Sequence, residues 1–228
     1  MATPINKILI TAFEPFGGAD TNITQDILTA LPCNMGKAEV IKQCLPVSFQ
    51  RAPIVLRQAI VLHQPDLILL LGQCPVGENI RLERFALNMM DSQNADNDGC
   101  CPSEEQIYPG APLAYRTPIN IKTIVHHLHE EKLPVVVSNS AGLYVCNRVY
   151  YEALHLQQNA LFVHIPKNFD IIFQMLPTDF TKQDAIEQAE VLGIAVRTIE
   201  RWLSKFVQSL EIERINQDCY KKLPPHYI

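Results

Sequence analysis

The sequence lacks the features that mark several large classes of protein. It has no run of lysine and arginine, and its formal net charge is −5, which argues against nucleic acid or an anionic membrane surface as the main partner. The longest apolar run, LILLL at residues 67–71, is far too short to span a bilayer. The N-terminal residues show neither the long apolar core nor the cleavage site of a signal peptide. We therefore expect a cytoplasmic protein.

Recognisable motifs for metals, disulfides and nucleotide phosphates are also missing. There are seven cysteines but no CxxC pair, so neither a zinc site nor a thioredoxin-type motif is supported. Gly72 and Gly77 have the spacing of a phosphate-binding P-loop, but Glu78 stands where that loop needs a lysine. We expect no metal and no cofactor. A nucleotide-binding α/β protein stays open only as an alternative that rests on fold class.

Apolar segments of strand length alternate with segments of helical periodicity over most of the chain. Strands are predicted over 6–12, 38–46, 66–72, 134–137 and 159–166. Helices are predicted over 22–31, 48–63, 119–132, 147–156 and 181–210. The remaining stretches are predicted as a strand or irregular edge over 82–91, a long loop over 92–118, an irregular segment over 169–180 and a polar tail from 211. This alternation predicts a three-layer α/β/α sandwich with a mostly parallel twisted sheet, as one domain over residues 1–228.

The chain is organised around residues 133–156, which read as a buried strand, a tight loop and a helix. Cys146 falls where that helix begins. The first turn of a helix offers unpaired N–H groups and a partial positive charge, which favour the thiolate form of a cysteine. The same N–H groups can receive the oxyanion that forms when a thiolate attacks a carbonyl carbon. Cys146 is therefore a candidate nucleophile, and the alternative is a small buried thiol of the core.

A base and a carboxylate that could complete such a site occur elsewhere in the chain. His164 lies near the end of the strand predicted over 159–166, and both it and Cys146 follow strands that we predict to be parallel. We therefore expect the two side chains at the same edge of the sheet. Glu83 could orient the imidazole and stabilise its cationic form. The alternatives are a hydrogen-bonded core histidine and a solvated charge pair between Glu83 and an arginine.

The segment FEPFGG at residues 13–18 follows the first predicted strand. Pro15 and the two glycines end the strand and make a turn. Phe13 and Phe16 are thereby placed at the carboxyl edge of the sheet, where ligands bind in open α/β folds. The alternative is two aromatic rings that pack beneath a loop.

Several motifs in a fixed order resemble those of the pyroglutamyl-peptidase I (pyrrolidone-carboxylate peptidase) family of cysteine peptidases, family C15. They are ILITAFEPFGG (8–18), HQPDLILLLGQ (63–73), ERFALN (83–88), DNDGC (96–100), VVVSNSAGLYVCN (135–147) and FVHIP (162–166). The resemblance runs over nearly the whole chain. It implies a cysteine-type omega peptidase that removes an N-terminal pyroglutamyl residue from peptides through a thioester acyl-enzyme.

The resemblance also implies roles for individual residues. The catalytic triad maps onto Cys146, His164 and Glu83. The substrate pocket maps onto Phe13, Phe16, Gln73, Tyr144 and Val145. The pyroglutamyl ring is small, flat and uncharged, so two aromatic rings could hold its faces while backbone groups meet the lactam N–H and C=O. The implied partners are peptides with an N-terminal pyroglutamate, and the implied assembly is a homodimer or homotetramer.

Three departures from the family pattern bear on activity. Gln93 stands where the family usually has an arginine, and that position is expected to help polarise the site near the nucleophile. Tyr144 replaces the more common phenylalanine, and its hydroxyl needs a partner. The spacing from Cys146 to His164 is a few residues shorter than usual. Loss of a cation at Gln93 leaves open a second hypothesis: a weak or silent family member that binds pyroglutamyl peptides or 5-oxoproline.

Overall fold

The chain divides into two compact units. The computed structural model describes residues 4–74, 79–131, 133–156, 158–166, 176–191, 199, 203–204, 206–208 and 212–223. The larger unit lies within residues 1–130 and 134–169, and the smaller within residues 131–133 and 170–228. Over the described ranges, no helix is both long and apolar enough to cross a membrane. One domain over the full length stays a prediction.

The larger unit is a central sheet with helices packed against it. Its sheet strands are β1 (Lys7–Phe13), β2 (Asn34–Met35), β3 (Ala38–Leu45), β4 (Leu67–Cys74), β5 (Ile80–Glu83), β8 (Val135–Ser138) and β9 (Ala160–Pro166). A separate two-stranded ribbon comprises β6 (Phe85–Leu87) and β7 (Ala114–Arg116). The helices are α1 (Ile23–Ala30), α2 (Arg51–His63), α3 (Ile121–Glu130) and α4 (Val145–His155). The prediction of an α/β/α sandwich with a mostly parallel sheet is confirmed.

The spatial order of the seven strands is β2-β3-β1-β4-β9-β5-β8. Strands β1, β3, β4 and β9 are parallel to one another. Strands β5 and β8 are parallel to each other, but β5 is antiparallel to β9. Our premise that Cys146 and His164 both follow parallel strands is therefore wrong, because β8 runs opposite to β9. Residues 139–144 lead the chain from the end of β8 to the start of α4, and this connection positions Cys146.

The apolar content of the central strands explains why they occupy the middle of the sheet. Every residue of β9 is buried, and β1 and β4 are buried over most of their length. Such continuous burial is typical of strands that are covered on both faces. The largest fully buried side chains here include Leu9, Leu70, Phe162, Tyr150 and Tyr151. The two tyrosines belong to α4, so this helix packs deeply against the sheet.

Side-chain hydrogen bonds cap the starts of α1 and α2. The Asn22 side chain accepts a hydrogen bond from the Thr24 amide at the start of α1. The Ser48 hydroxyl accepts from the Arg51 amide, and α2 begins at Arg51, three residues later than predicted. Helix α4 begins two residues earlier than predicted, at Val145. Cys146 is consequently the second residue of the helix.

The smaller unit is an antiparallel sheet with one described helix. Strands β10 (Asp179–Thr181), β11 (Ile212–Arg214) and β12 (Cys219–Lys222) occur in the order β10-β12-β11, and helix α5 spans Lys182–Val191. Helix α5 starts with the predicted capping box: Thr181 N–H donates to Asp184, and the Asp184 amide donates to the Thr181 hydroxyl.

The structure contains short strands in several stretches where the sequence predicts none. The polar tail predicted from residue 211 contains β11 and β12, and the last two residues of the segment predicted as irregular over 169–180 belong to β10. The long loop over 92–118 contains β7 and a bridge between Met90 and Glu105. Residues 192–198 of the predicted long helix lie outside the described residues. Each of these strands is too short to leave a periodic pattern.

Candidate active site

Cys146 occupies the first turn of α4 and is half-buried. The residue before the helix, Tyr144, has extended backbone angles and makes no side-chain capping bond to the first turn. The N-terminal amides of α4 therefore keep their capacity to bind a negatively charged oxygen. This arrangement agrees with the strand–loop–helix junction that the sequence predicts.

The floor beneath the thiol is formed by Gly72 of β4. A Cβ atom placed on Gly72 would lie 2.6 Å from the Phe162 ring and 3.1 Å from the Cys146 sulfur. Any side chain here would displace Phe162, and the sulfur would have to shift by a few tenths of an ångström. Gly72 is paired with His164 in the parallel ladder between β4 and β9. Glycine is thus required for the close approach of α4 to the sheet.

His164 and Glu83 form a buried pair on the same face of the sheet. His164 Nδ1 lies 2.8 Å from Glu83 Oε1. Their exposed fractions are 9% for the histidine and 1% for the glutamate. Glu83 Oε2 has no hydrogen-bond partner among the residues that the structure describes. The alternative of a solvated Glu83–arginine pair is excluded by this burial.

The register of the sheet explains how these two side chains meet. In the antiparallel ladder between β5 and β9, Glu83 is opposite Phe162, and His164 is opposite Arg81. Glu83 and His164 are therefore diagonal neighbours that point to the same face. The antiparallel orientation of β5, which the sequence analysis did not anticipate, is what brings the carboxylate to the imidazole.

The electrostatic surroundings favour a charged imidazole. Burial lowers the pKa of His164, but the charge and hydrogen bond of Cys146 and those of Glu83 outweigh it and raise the pKa well above its usual value. The influence of Cys146 on this pKa places its side chain close to the imidazole. The predicted thiol, imidazole and carboxylate lie together in the order Cys146–His164–Glu83.

Aromatic residues cluster around Tyr144, two residues before Cys146, and their arrangement differs from a clasp made by Phe13 and Phe16. Phe13 is 3% exposed and belongs to the hydrophobic core. Phe16 is partly exposed, and its ring centroid lies 6.5 Å from that of Tyr144. Phe49 contacts Tyr144 edge-on at 5.2 Å. The Tyr144 hydroxyl, which needs a partner, donates to the Ala95 carbonyl at 3.1 Å.

The other predicted binding residues occupy different environments. The Gln73 side-chain oxygen accepts from the Ile23 amide at 3.2 Å, so it helps to hold the start of α1. Val145 is 1% exposed and packs in the core. Gln93 is exposed, and its side chain makes no hydrogen bond within the described part of the chain. Of the predicted pocket residues, the structure brings Phe16 and Tyr144 together, and Tyr144 lies two residues before Cys146.

The connections around the site are held to one another by polar contacts. Asn97 donates to the Glu14 carboxylate and to the Pro15 carbonyl, both at 3.0 Å. The Asp96 carboxylate is buried and accepts from the amides of Phe49 and Cys100, both at 2.8 Å. The loop that begins at residue 92 is therefore an ordered wall of the site, joined to the FEPFGG segment. A groove of about 640 Å³ lies elsewhere, beside α2, and none of the three triad residues lines it.

Two residues of the site escaped the sequence analysis. Gly72 ends a predicted strand and lies in a family motif, but no role is predicted for it, although a glycine directly after a buried apolar run is a signal of close backbone approach. Asn147, next to the nucleophile, is completely buried and bonded to backbone groups of residues 87 and 89. Its signal was an asparagine in the first turn of a helix, where burial could not be foreseen.

Comparison with known proteins places this geometry in a family. A family model described as pyroglutamyl peptidase matches residues 6–173. The pyrrolidone-carboxylate peptidase of Thermococcus onnurineus is 45% identical over 166 residues, which cover 70% of this chain and 83% of that protein. The pyrrolidone-carboxylate peptidase of Thermococcus litoralis is 33% identical over 218 residues, which cover 91% of this chain and 99% of that protein.

Solved structures agree with the sequence comparisons. The crystal structure of pyroglutamyl peptidase I from Bacillus amyloliquefaciens matches with a TM-score of 0.68 at 36% identity, over 71% of this chain and 82% of that chain. The matched family model covers more than half of the chain and includes Glu83, Cys146 and His164. The resemblance noted in the sequence is confirmed, and the chain belongs to the pyroglutamyl peptidase family of cysteine peptidases.

Proposed function

We propose that the protein is an exopeptidase that hydrolyses the bond after an N-terminal pyroglutamyl residue, with Cys146 as nucleophile, His164 as acid and base, and Glu83 as the group that orients His164. One observation carries this proposal. His164 is buried between Cys146 and Glu83, bonded to Glu83 at 2.8 Å through Nδ1. The other ring nitrogen, Nε2, is then the one left for the thiol.

Acylation begins from a thiolate beside an imidazolium. The Cys146 sulfur attacks the pyroglutamyl carbonyl carbon, and the oxyanion that forms is received by the N-terminal amides of α4. The Nε2 proton of His164 passes to the leaving amine nitrogen as the C–N bond breaks. The products of this half-reaction are a thioester on Cys146, a shortened peptide with a free amino terminus, and a neutral imidazole.

Deacylation reverses these roles. Neutral His164 takes a proton from water, and the resulting hydroxide attacks the thioester carbonyl. The C–S bond then breaks, pyroglutamic acid leaves and loses its carboxyl proton to water, and the thiolate and imidazolium are restored. Glu83 keeps the imidazole in one tautomer and stabilises its cationic form in both half-reactions. No proton need remain on Glu83 at any step.

Selection for a pyroglutamyl ring follows from the surroundings of the thiol. Phe16 and Tyr144 offer apolar ring faces, and no carboxylate is needed there because the lactam nitrogen is uncharged. The Gln73 amide and backbone groups of residues 139–144 are candidates to meet the lactam N–H and C=O. A residue with a free ammonium group would leave that charge unpaired, which disfavours its binding strongly.

Hydrolysis of a chromogenic pyroglutamyl amide tests the proposal. We expect the wild-type protein to release the chromophore. Cys146→Ala should abolish release, and the matched variant Cys44→Ala, an exposed cysteine of β3, should leave it unchanged. A folded wild-type protein that is inert toward the amide would refute the proposal, as would full activity in Cys146→Ala.

The second candidate is a protein that binds pyroglutamyl peptides or 5-oxoproline with little turnover, and Gln93 favours it. The family usually has an arginine at that position, and this chain has no cation there. Binding of 5-oxoproline by calorimetry, together with no release of chromophore and no reaction of Cys146 with iodoacetamide, would support it. A cytoplasmic location and a dimeric or tetrameric assembly stay predictions.

A further inference from the structure

Helix α4 is joined to the chain that follows Glu83 by the side chain of Asn147, the neighbour of the nucleophile. Asn147 is completely buried. Its oxygen accepts from the Leu87 amide at 2.8 Å, and its nitrogen donates to the carbonyls of Leu87 at 2.8 Å and Met89 at 2.9 Å. The side-chain amide of Asn147 therefore makes three hydrogen bonds to backbone groups, in the way that a neighbouring strand does.

A second contact joins the same two segments one turn further along the helix. The Tyr150 hydroxyl donates to the backbone carbonyl of Glu83 at 2.9 Å, and Tyr150 is completely buried. The Tyr150 ring also packs against Phe162, with centroids 5.7 Å apart. The first two turns of α4 are thus attached at two points. Tyr150 bonds the backbone of Glu83, and Asn147 bonds the backbone of residues 87 and 89, which follow Glu83 in the chain.

We propose that Asn147 is a positioning residue that sets the Cys146 sulfur relative to the Glu83–His164 pair, with Tyr150 as the second attachment. This inference rests on the proposed function and deepens it. The physical reason is that sulfur and imidazole belong to different elements, so their separation depends on where the first turn of α4 lies. A displacement of about 1 Å in a reacting group can reduce a rate by about 100-fold.

The chain offers a closely matched control in Asn88. Its exposed fraction is 3%, its oxygen accepts from the Tyr108 amide at 2.8 Å, and its nitrogen donates to the carbonyls of Tyr108 at 2.8 Å and Ala111 at 3.3 Å. Asn88 therefore makes the same kind of three-bond attachment, but its side-chain hydrogen bonds go to residues 108 and 111, and none of those in the described residues goes to α4 or to the triad.

The test compares Asn147→Asp with Asn88→Asp. In each variant a carboxylate replaces two N–H donors and faces two carbonyl oxygens, so both should lower Tm. We expect Asn147→Asp to lower kcat by about 100-fold with little change in KM. It should also change the pH dependence of Cys146 alkylation by iodoacetamide. Asn88→Asp should keep the wild-type kcat and the wild-type alkylation profile, measured below its own Tm.

A second pair of variants, each of which removes only one hydroxyl group, keeps the inference testable if Asn147→Asp does not fold. Tyr150 and Tyr151 are both completely buried, and the Tyr151 hydroxyl donates to the Pro112 carbonyl at 2.6 Å. We expect Tyr150→Phe to lower kcat by about 10-fold, because it frees the backbone of Glu83 while every other contact remains. Tyr151→Phe should lower only Tm.

The outcomes separate this inference from the proposed function. The inference is overturned if Asn147→Asp and Tyr150→Phe keep the wild-type kcat and alkylation profile. It is also overturned if Asn88→Asp lowers kcat as much as Asn147→Asp, and Tyr151→Phe lowers it as much as Tyr150→Phe. A wild-type protein that hydrolyses the amide leaves the proposed function standing in both cases. An inert wild-type protein refutes the function, and the alkylation profiles then still decide whether Asn147 positions the thiol.

Discussion

Two buried glutamates in the larger unit have opposite surroundings. Glu152 of α4 is completely buried and receives hydrogen bonds from Arg57, Arg148 and Tyr108. Glu83 is 1% exposed, is bonded to His164 through one oxygen, and has a second oxygen without a partner among the described residues. One carboxylate is saturated by donors, whereas the other keeps unused capacity.

The identity of the partners explains what each glutamate does. Arginines stay protonated at every physiological pH, so the Glu152 cluster keeps one charge state and serves packing between α2, α4 and residue 108. The imidazole of His164 can gain and lose a proton, so the Glu83 pair can exist in two states. A carboxylate that orients a catalytic base needs a partner that can gain and lose a proton, such as histidine. A carboxylate that stabilises a fold is better paired with a group of constant charge, such as arginine.

The largest expected effect is a separation of activity from stability. Glu83→Gln removes the charge that favours imidazolium, and we expect kcat to fall by about 100-fold or more with a small change in stability. Glu152→Gln removes the counter-charge of Arg148 and the half-exposed Arg57, and we expect the free energy of unfolding to fall by about 2–3 kcal/mol. Its kcat per folded molecule should be retained.

Hydrolysis of a pyroglutamyl amide and urea unfolding of the same preparations measure the two effects. The comparison between the glutamates fails if Glu152→Gln loses kcat while its unfolding midpoint is unchanged. It fails equally if Glu83→Gln is as active as the wild type.

A second effect concerns the pH range in which each cluster contributes to stability. Burial raises the pKa of Glu152, but the bonds from Tyr108, Arg148 and Arg57 outweigh it and lower that pKa overall. Its contribution is present above the unfolded pKa of about 4.3 and is lost as pH falls through the lowered value. The pKa of His164 is raised, so its contribution is present below about 6.5 and is lost as pH rises through the raised value.

Unfolding free energies measured across pH test this asymmetry. We expect the acid loss to be smaller in Glu152→Gln than in the wild type, and the alkaline loss to be smaller in Glu83→Gln. Identical pH profiles for the wild type and both variants would contradict the assignment of the two losses to these residues.

The smallest effect concerns a second buried oxygen without a partner. Thr11 of β1 is completely buried, and its hydroxyl has no hydrogen-bond partner within the described residues. Because Thr11→Val keeps the shape and removes an unsatisfied polar group, we expect it to raise the free energy of unfolding by about 1 kcal/mol without changing kcat. The orphan oxygen of Glu83, by contrast, belongs to a group whose removal should cost activity.

Thr24 supplies the control for this prediction. It is also completely buried, but its hydroxyl accepts from the Phe13 amide and donates to Asn22. Thr24→Val should therefore lower the free energy of unfolding by about 1–3 kcal/mol, because a buried amide loses its partner. Equal destabilisation by the two substitutions would show that the Thr11 hydroxyl is satisfied in solution.

The sequence predicted the elements that carry strong periodic patterns and the residues that carry family motifs. The buried runs that became β1, β4 and β9 and the strand–loop–helix unit at Cys146 were foreseen from local composition. The strand direction of β5 and β8 was not, because direction depends on long-range connections that leave no local pattern. The diagonal approach of Glu83 to His164 therefore needed the structure.

The remaining differences have the same physical origin. Gly72 is required by a neighbour, Phe162, that lies 90 residues away in the chain, so its constraint is tertiary. Asn147 and Tyr150 make hydrogen bonds whose partners are more than 50 residues distant. Strands β7, β10, β11 and β12 contain three or four residues each, too few for a period to be recognised.

The most direct test of the catalytic assignment is the order in which the seven cysteines react with iodoacetamide at pH 6, mapped by mass spectrometry as peptidase activity is followed. The account predicts that Cys146, although half-buried, is modified before the exposed Cys33, Cys44 and Cys101, and that activity falls in proportion to its modification. Activity that survives complete modification of Cys146, or a Cys146 no more reactive than the exposed thiols, would contradict it.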